Sequence, residues 1–394
     1  MIDTATSRLT PVMRSEERVT PLELFFDLVF VLAITQCTAL MSHELTWESV
    51  AQAMLILGVL WWSWVGYAWL TSVVDPEEGA VRLTIFAATA GLLVCALCVP
   101  TAFGSSGGVF AGAYGIVRTA HIVLFLLASR DDPALRRSTI GLAVSTAIGV
   151  CLLIAASFAD GGLQLALWAI ALLLDAGGPY FFGVEGWKLV PGHFAERHGL
   201  IVLIALGESV VAIGVGAEAG VNAGTVVAAV VAVVVAGGLW WLYFDVVALV
   251  AARRLEHAAP GRERNAIARD SFSYLHFPMV AGIVLVALGI KKTLAHHHDE
   301  LATVAAAALL GGAALYLLAH VAFRWRNVHR FSTQRLVAAV VCVVLIPLAT
   351  TVPALLSLGL LAAVLVVLVV YESIRFAELR DRLRHQLAQG AVEG

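Results

Sequence analysis

The sequence predicts an all-α, polytopic transmembrane helical bundle of about twelve helices, and three observations carry that prediction. Hydrophobic residues fill 60% of the 394 positions and charged ones only 13%, with a mean hydropathy of +0.89. A soluble domain holds about twice that share of charge, so this chain cannot cover itself with polar surface in water and its solvent is mostly lipid. The apolar residues also fall into segments of about 20, the length that crosses a bilayer core as a helix. Finally, arginines and lysines gather in every second gap between those segments. The net charge of -3 leaves no case for a nucleic-acid binder. Apolar runs from end to end exclude low-complexity disorder.

Taken in order, the apolar segments lie at about 22–41, 48–73, 79–101, 109–129, 137–158, 163–182, 198–217, 223–250, 271–290, 301–322, 335–351 and 353–373. The split between the last two rests on Thr350-Thr351-Val352-Pro353, where proline suits the start of a new helix, although one kinked helix is the alternative. The chain is polar as far as Pro21, so no cleavable signal peptide of the usual form is expected. Cys37, Cys95, Cys98, Cys151 and Cys342 all lie in apolar runs, where cysteine packs as a small hydrophobe, so the Cys95/Cys98 C-x-x-C is read as packing and no disulfide framework is implied.

Basic residues test the count, because cytoplasmic loops collect them. With the N-terminus inside, 22 of the 25 lie in inner segments, Lys291 and Lys292 lie outside, and Arg118 lies within a span. An odd number of spans would scramble this division. Twelve spans with both termini cytoplasmic are therefore expected.

The halves resemble each other at several points in the same order. Glu17-Arg18 and Glu196-Arg197 precede helices one and seven, and Asp27 and Glu208 lie inside those helices. Trp61-Trp62-Ser63-Trp64 is matched by Trp240-Trp241-Leu242-Tyr243, Ala120-His121 by Ala319-His320, and Asp175 by Glu372. Two parallel six-helix pseudo-repeats are expected, because an even unit keeps its orientation when duplicated. The predicted organisation is a cytoplasmic segment at 1–20, a first repeat at 21–182, a linker at 183–197, a second repeat at 198–373 and a cytoplasmic amphipathic tail at 374–394, with Phe376, Leu379, Leu383 and Leu387 on one face.

Charges within the apolar segments are the functional candidates, since a charge at the bilayer centre costs about 2.5–3.5 kcal/mol on insertion scales. Glu23 and Asp27 share a helix face. Glu23 reads either as a solvated helix-start acid or as part of a site, and Asp27 either as a site acid or as a tie to Arg18 or Arg118. Glu208 lies near mid-helix beside Gly207, which would let another helix approach closely. Asp245 sits about a turn from Arg253-Arg254 and reads equally as a snorkelling ion pair. His276, next to Pro278, is either a neutral hydrogen-bond donor or a relay partner for Glu208 or Asp27. His121 and His320 read as a symmetric pair of interhelical hydrogen bonds, and Arg118 as half of an ion pair. Arg18, Arg118, Glu196 and Arg197 are the gating or ion-pair candidates. The run His296-His297-His298 reads as a solvated loop more readily than as a metal site, since it lacks a spaced partner motif. Asp175-Ala176-Gly177-Gly178-Pro179 breaks or ends helix six, and the tryptophan clusters read as packing or interfacial aromatics.

The stretch ERVTPLELFFDLVFVLAITQ, residues 17–36, resembles the bacterial low temperature requirement A family, and HFAERHGLIVLIALGESVVAIG, residues 193–214, resembles its second signature. SYLHFPMVAGIV resembles a third. The resemblance implies a polytopic bacterial inner-membrane protein and brings no established chemistry. It marks Arg18, Glu23, Phe25, Phe26, Asp27, His193, Glu196, Arg197, Glu208 and His276. FFDLVFVLAIT is also similar to the Phe-Ser-Asp first-helix motif of a lysosomal potassium channel family of two six-helix repeats. Phe26 replaces that serine here, so pore residues do not transfer.

The expected function is ion movement or proton-coupled solute movement through Glu23, Asp27, Glu208, His276 and Asp245. The rival is a non-transporting structural or sensory membrane protein supporting growth in the cold. No nucleotide, hydrolase or metalloprotease motif is present, so neither an enzyme nor a cofactor is expected. The expected partners are the lipid bilayer and a small ion or solute, and a homo-oligomer is compatible with this reading.

Overall fold

The computed structural model describes residues 18–378 apart from 78, 184, 185, 219 and 221. Most of the N-terminal segment, and the tail with Leu379, Leu383 and Leu387, lie outside the described residues. Among the described residues every named element is a helix, and an isolated bridge joins Glu300 and Pro353. The helices are α1 (Pro21–His43), α2 (Trp47–Thr71), α3 (Gly79–Thr101), α4 (Gly107–Ala128), α5 (Pro133–Ala156), α6 (Gly161–Phe181), α7 (Pro191–Gly216), α8 (Ala223–Glu256), α9 (Arg262–Ala295), α10 (Thr303–Val328), α11 (Thr333–Ala349) and α12 (Ala354–Arg375). Eleven are long and apolar enough to cross a membrane, and α11 is a shorter apolar helix. Large apolar side chains such as Leu83, Ile116 and Val344 remain about 70% exposed on the outer faces. That surface suits hydrocarbon rather than water, and the protein is a membrane protein.

Local chemistry explains the ends. Thr20-Pro21-Leu22-Glu23 forms a capping box with proline in the first turn, which starts α1. Asp132 caps α5 by accepting the Leu135 N–H, and Lys188 lies 3.1 Å from it. That backbone bond, then the lysine, hold the Asp132 carboxyl below its ordinary range. Pro353 precedes α12, so α11 and α12 are two helices and not one kinked helix. Helix α6 does not break at Asp175: it runs on through Pro179 to Phe181.

Helix α9 begins at Arg262, well before the expected 271, and residues Ala268–Tyr274 form a π-helix. Pro278 explains part of it. It has no N–H for the Tyr274 carbonyl one turn back, and its ring crowds that oxygen. The wider turn relieves this, with the Leu275 N–H reaching Asp270 instead. His276 is therefore deep within α9 and not just inside its start.

The chain packs as two compact units, residues up to 204 with 255–277, and 205–254 with 278 onward. In the first, α2 is the most buried helix. Helices α1, α4 and α6 pack against it, α3 packs on α1 and α4, and α5 packs on α4 and α6. In the second, α12 packs on α8 and on α11, and α11 on α10. Gly282 of α9 and Gly312 of α10 face each other. A Cβ on Gly282 would lie 2.6 Å from the Gly312 carbonyl oxygen, so glycine is what permits this crossing. Gly207 was the expected place for such an approach, but a Cβ there would meet nothing within 4 Å.

Candidate functional site

The densest buried polar cluster described lies in the first unit, at the ends of α1, α2 and α7. Helix α1 brings Glu23 and, one turn deeper, Asp27; α7 brings His193 and Arg197. None of the four is more than 1% exposed. Arg197 bridges the acids, with Nη1 2.9 Å from Glu23 Oε1 and Nη2 2.6 Å from Asp27 Oδ1. His193 Nε2 lies 2.8 Å from the same Glu23 oxygen, and its Nδ1 lies 2.9 Å from Ser72 Oγ. The second Glu23 oxygen accepts the Thr20 N–H of the capping box. Glu23 is thus a buried, fully engaged group rather than a solvated acid.

Asp27 takes its second partner from α2. Trp64 Nε1 donates to Asp27 Oδ1 at 2.8 Å, and the Arg197 guanidinium lies 5.6 Å from the Trp64 ring. Asp27 Oδ2 accepts no hydrogen bond among the described residues. The expected ties of Asp27 to Arg18 or Arg118 are replaced by Arg197: Arg18 is exposed, and Arg118 binds elsewhere. Glu196, one residue from Arg197, faces outward and accepts the Val19 N–H.

An aromatic layer closes the inner side. The His198 ring lies 4.9 Å from Trp64 and 5.2 Å from His276. His276 Nδ1 donates to the Ser271 carbonyl in the π-helical turn, and His198 Nδ1 to the Phe194 carbonyl. Both acceptors are carbonyls, so both δ nitrogens carry the proton. Trp61 and Trp69 donate to the Ser273 carbonyl and hydroxyl. Trp61 and Trp64 of the first tryptophan cluster are therefore buried donors. In the second cluster Trp240 and Trp241 are about 40% exposed, as lipid-facing aromatics are.

A separate network links α4, α5 and α6. Arg118 Nη2 donates to Asp175 Oδ1 at 2.8 Å and Thr146 donates to the same oxygen, while the Tyr114 hydroxyl donates to Oδ2 at 2.7 Å. A cavity of about 30 Å3 borders Arg118 and His121. His121 donates to the Gly66 carbonyl of α2, but His320 donates to the Tyr316 carbonyl of its own helix, so the expected symmetric interhelical pair is not formed by these bonds. The two tyrosine–histidine contacts do correspond, Tyr67 with His121 at 5.4 Å and Tyr243 with His320 at 6.1 Å.

In the second unit Glu208 is 3% exposed on α7. Asp245 lies half-buried in α8, beside a pocket that Arg335 and Glu372 also line. Arg335 grips Glu372 with two nitrogens, at 2.9 and 2.7 Å. His296 is exposed near Asp299. Among the described residues no three His, Cys, Asp or Glu side chains gather as metal ligands.

Sequence reasoning alone passed over Ser72, Trp64 and Thr71, whose hydroxyl accepts from Arg197 Nη1 at 3.4 Å, as members of the site. The signal for Trp64 was present, because a tryptophan buried in mid-helix needs an acceptor for its N–H. The capping-box pattern at residues 20–23 likewise fixed where Glu23 points.

A family model described as "Bacterial low temperature requirement A protein (LtrA)" matches residues 18–370. An uncharacterized protein of Rhizobium meliloti (strain 1021) is 30% identical over 309 residues, covering 75% of this chain and 74% of the relative. No solved structure matches.

Proposed function

We propose that this chain, which belongs to the bacterial low temperature requirement A family, moves protons, or couples solute movement to them, through its buried acids. The observation that carries this reading is the convergence of two buried carboxylates and an imidazole on one guanidinium. Two carboxylates, Glu23 and Asp27, face one guanidinium inside the first unit. His193 Nε2 lies 2.8 Å from the Glu23 oxygen that Arg197 also meets, so imidazole and carboxylate offer a short path for a proton. The chain Ser72–His193–Glu23–Arg197–Asp27 leads inward from the helix ends, and Asp27 Oδ2 offers a free acceptor at its inner end. Arg197 holds both acids at fixed positions. Glu208 supplies a buried carboxylate in the second unit.

The asymmetry of basic residues supports cytoplasmic termini, and the family supports a bacterial cytoplasmic membrane. Reporters fused at residues 132, 260 and 328 should read as cytoplasmic, and at 106 and 297 as external. An external reading at 260 overturns this orientation. A duplication of six helices is supported by the parallel Tyr67–His121 and Tyr243–His320 contacts and by the paired acids of α6 and α12.

A second reading, a structural membrane protein that supports growth in the cold, is favoured by one feature: the cluster's hydrogen bonds tie α1, α2 and α7 together. Flux into liposomes under a pH gradient separates the two. Wild type should carry protons; Glu23→Gln and Glu208→Gln should fold yet lose about a hundredfold or more of the pH-dependent flux, the usual scale for a general acid or base. Glu208→Asp should keep part of it. If both glutamine variants carry full flux across the pH range, the structural reading takes its place.

A further inference from the structure

In the second unit a pocket of about 310 Å3 opens between α8, the end of α10 and the start of α11, with Phe376 at its edge. It sits at the lower end of the roughly 300–1,000 Å3 of small-molecule sites. One wall is apolar, from Leu242, Val246, Val250 and Phe323. The rest is charged, with three arginines against two acids. Arg335 is committed to Glu372 and to the Leu242 carbonyl. Arg324 and Arg330 form no ion pair or hydrogen bond with any described residue, although Asp245 lines the same pocket. The Arg324 guanidinium lies 5.7 Å from the Phe376 ring, which leaves its N–H edge available. A third polar group is Asn327, only 5% exposed. Its Nδ2 donates to the Phe323 carbonyl, and its Oδ1 has no partner among the described residues.

We propose that this pocket binds the headgroup of an acidic phospholipid carrying a glycerol head. Arg324 and Arg330 hold the phosphate, Asn327 Oδ1 accepts a headgroup hydroxyl, and an acyl chain lies along the apolar wall. Each feature answers one part of that ligand. Paired guanidinium groups match phosphate geometry and remain charged. A buried amide oxygen without a donor costs free energy until a hydroxyl reaches it. Basic pockets between membrane helices are where such headgroups dock. The site is independent of the proton cluster, since none of its residues belongs to it.

The test is native mass spectrometry of the full chain, purified from bilayers of phosphatidylglycerol and phosphatidylcholine in equal parts with matched acyl chains. Wild type should retain phosphatidylglycerol over phosphatidylcholine by about tenfold, the scale of charge-assisted hydrogen bonds. The Arg324→Gln/Arg330→Gln variant should retain the two in their mixing ratio. Arg330 is exposed, so Arg330→Gln alone tests the site without disturbing the core, and it should lower the preference about threefold or more. Millimolar glycerol phosphate should leave the lipid bound. Wild type retaining both lipids equally, the double variant keeping the wild-type preference, or complete displacement by the soluble phosphoester would each overturn the proposal.

Discussion

Arg197→Ala should remove about 3–5 kcal/mol of stability, the cost of breaking a buried ion pair and leaving its partners uncompensated. Both Glu23 and Asp27 would lose their cation at once, and neither is more than 1% exposed, so water cannot replace it cheaply. Arg197→Lys should recover only part of the loss. One ammonium cannot reproduce the fork that reaches two carboxylates on different turns of α1. Arg262→Ala is the control: Arg262 is exposed at the start of α9, and surface changes stay within about 0.5 kcal/mol. Monodisperse yield and thermal midpoint of the purified protein read the difference. Equal yields from Arg197→Ala and Arg262→Ala would show that the cluster does not hold the helices together.

The twelve helices were legible because hydropathy is a property of each segment by itself. Even the boundary at Thr350–Pro353 follows from one residue suited to the start of a helix. Partners were less legible. By sequence Asp27 pairs with Arg18 or Arg118, yet it binds Arg197, 170 residues along the chain, and Arg118 binds Asp175, 57 residues along. Which acid meets which base depends on helix rotation and packing, and the spacing of charges does not encode these. His193 is a similar case. Its own surroundings mark it as one more histidine near a helix start, and only the helix crossing places it against Glu23. The π-helix of α9 was half visible, in Pro278. What the proline could not show is that the widened turn would supply the Ser271 carbonyl to His276.

The Arg118–Asp175 network should respond differently from the Glu23–Asp27 cluster, because no histidine meets its carboxylate among the described residues. Here one guanidinium faces one carboxylate, and Tyr114 and Thr146 add neutral donors. Asp175→Ala should therefore cost about 3–5 kcal/mol by stranding a buried arginine. Pairing it with Arg118→Met should return more than half of that loss, because a buried ion pair can be exchanged for apolar packing at little net cost. Tyr114 and Thr146 would still lack their acceptor, at about 1–3 kcal/mol, so recovery should be incomplete. Thermal unfolding of both single variants and the double variant gives the coupling directly. Additive losses would mean that the two residues stabilise the unit independently and that the 2.8 Å contact is not a working pair. The folded double variant should also keep its proton flux, since this pair offers no imidazole–carboxylate path among the described residues. Loss of flux in that variant, with the fold intact, would move the transport site from α1 and α7 to α4 and α6.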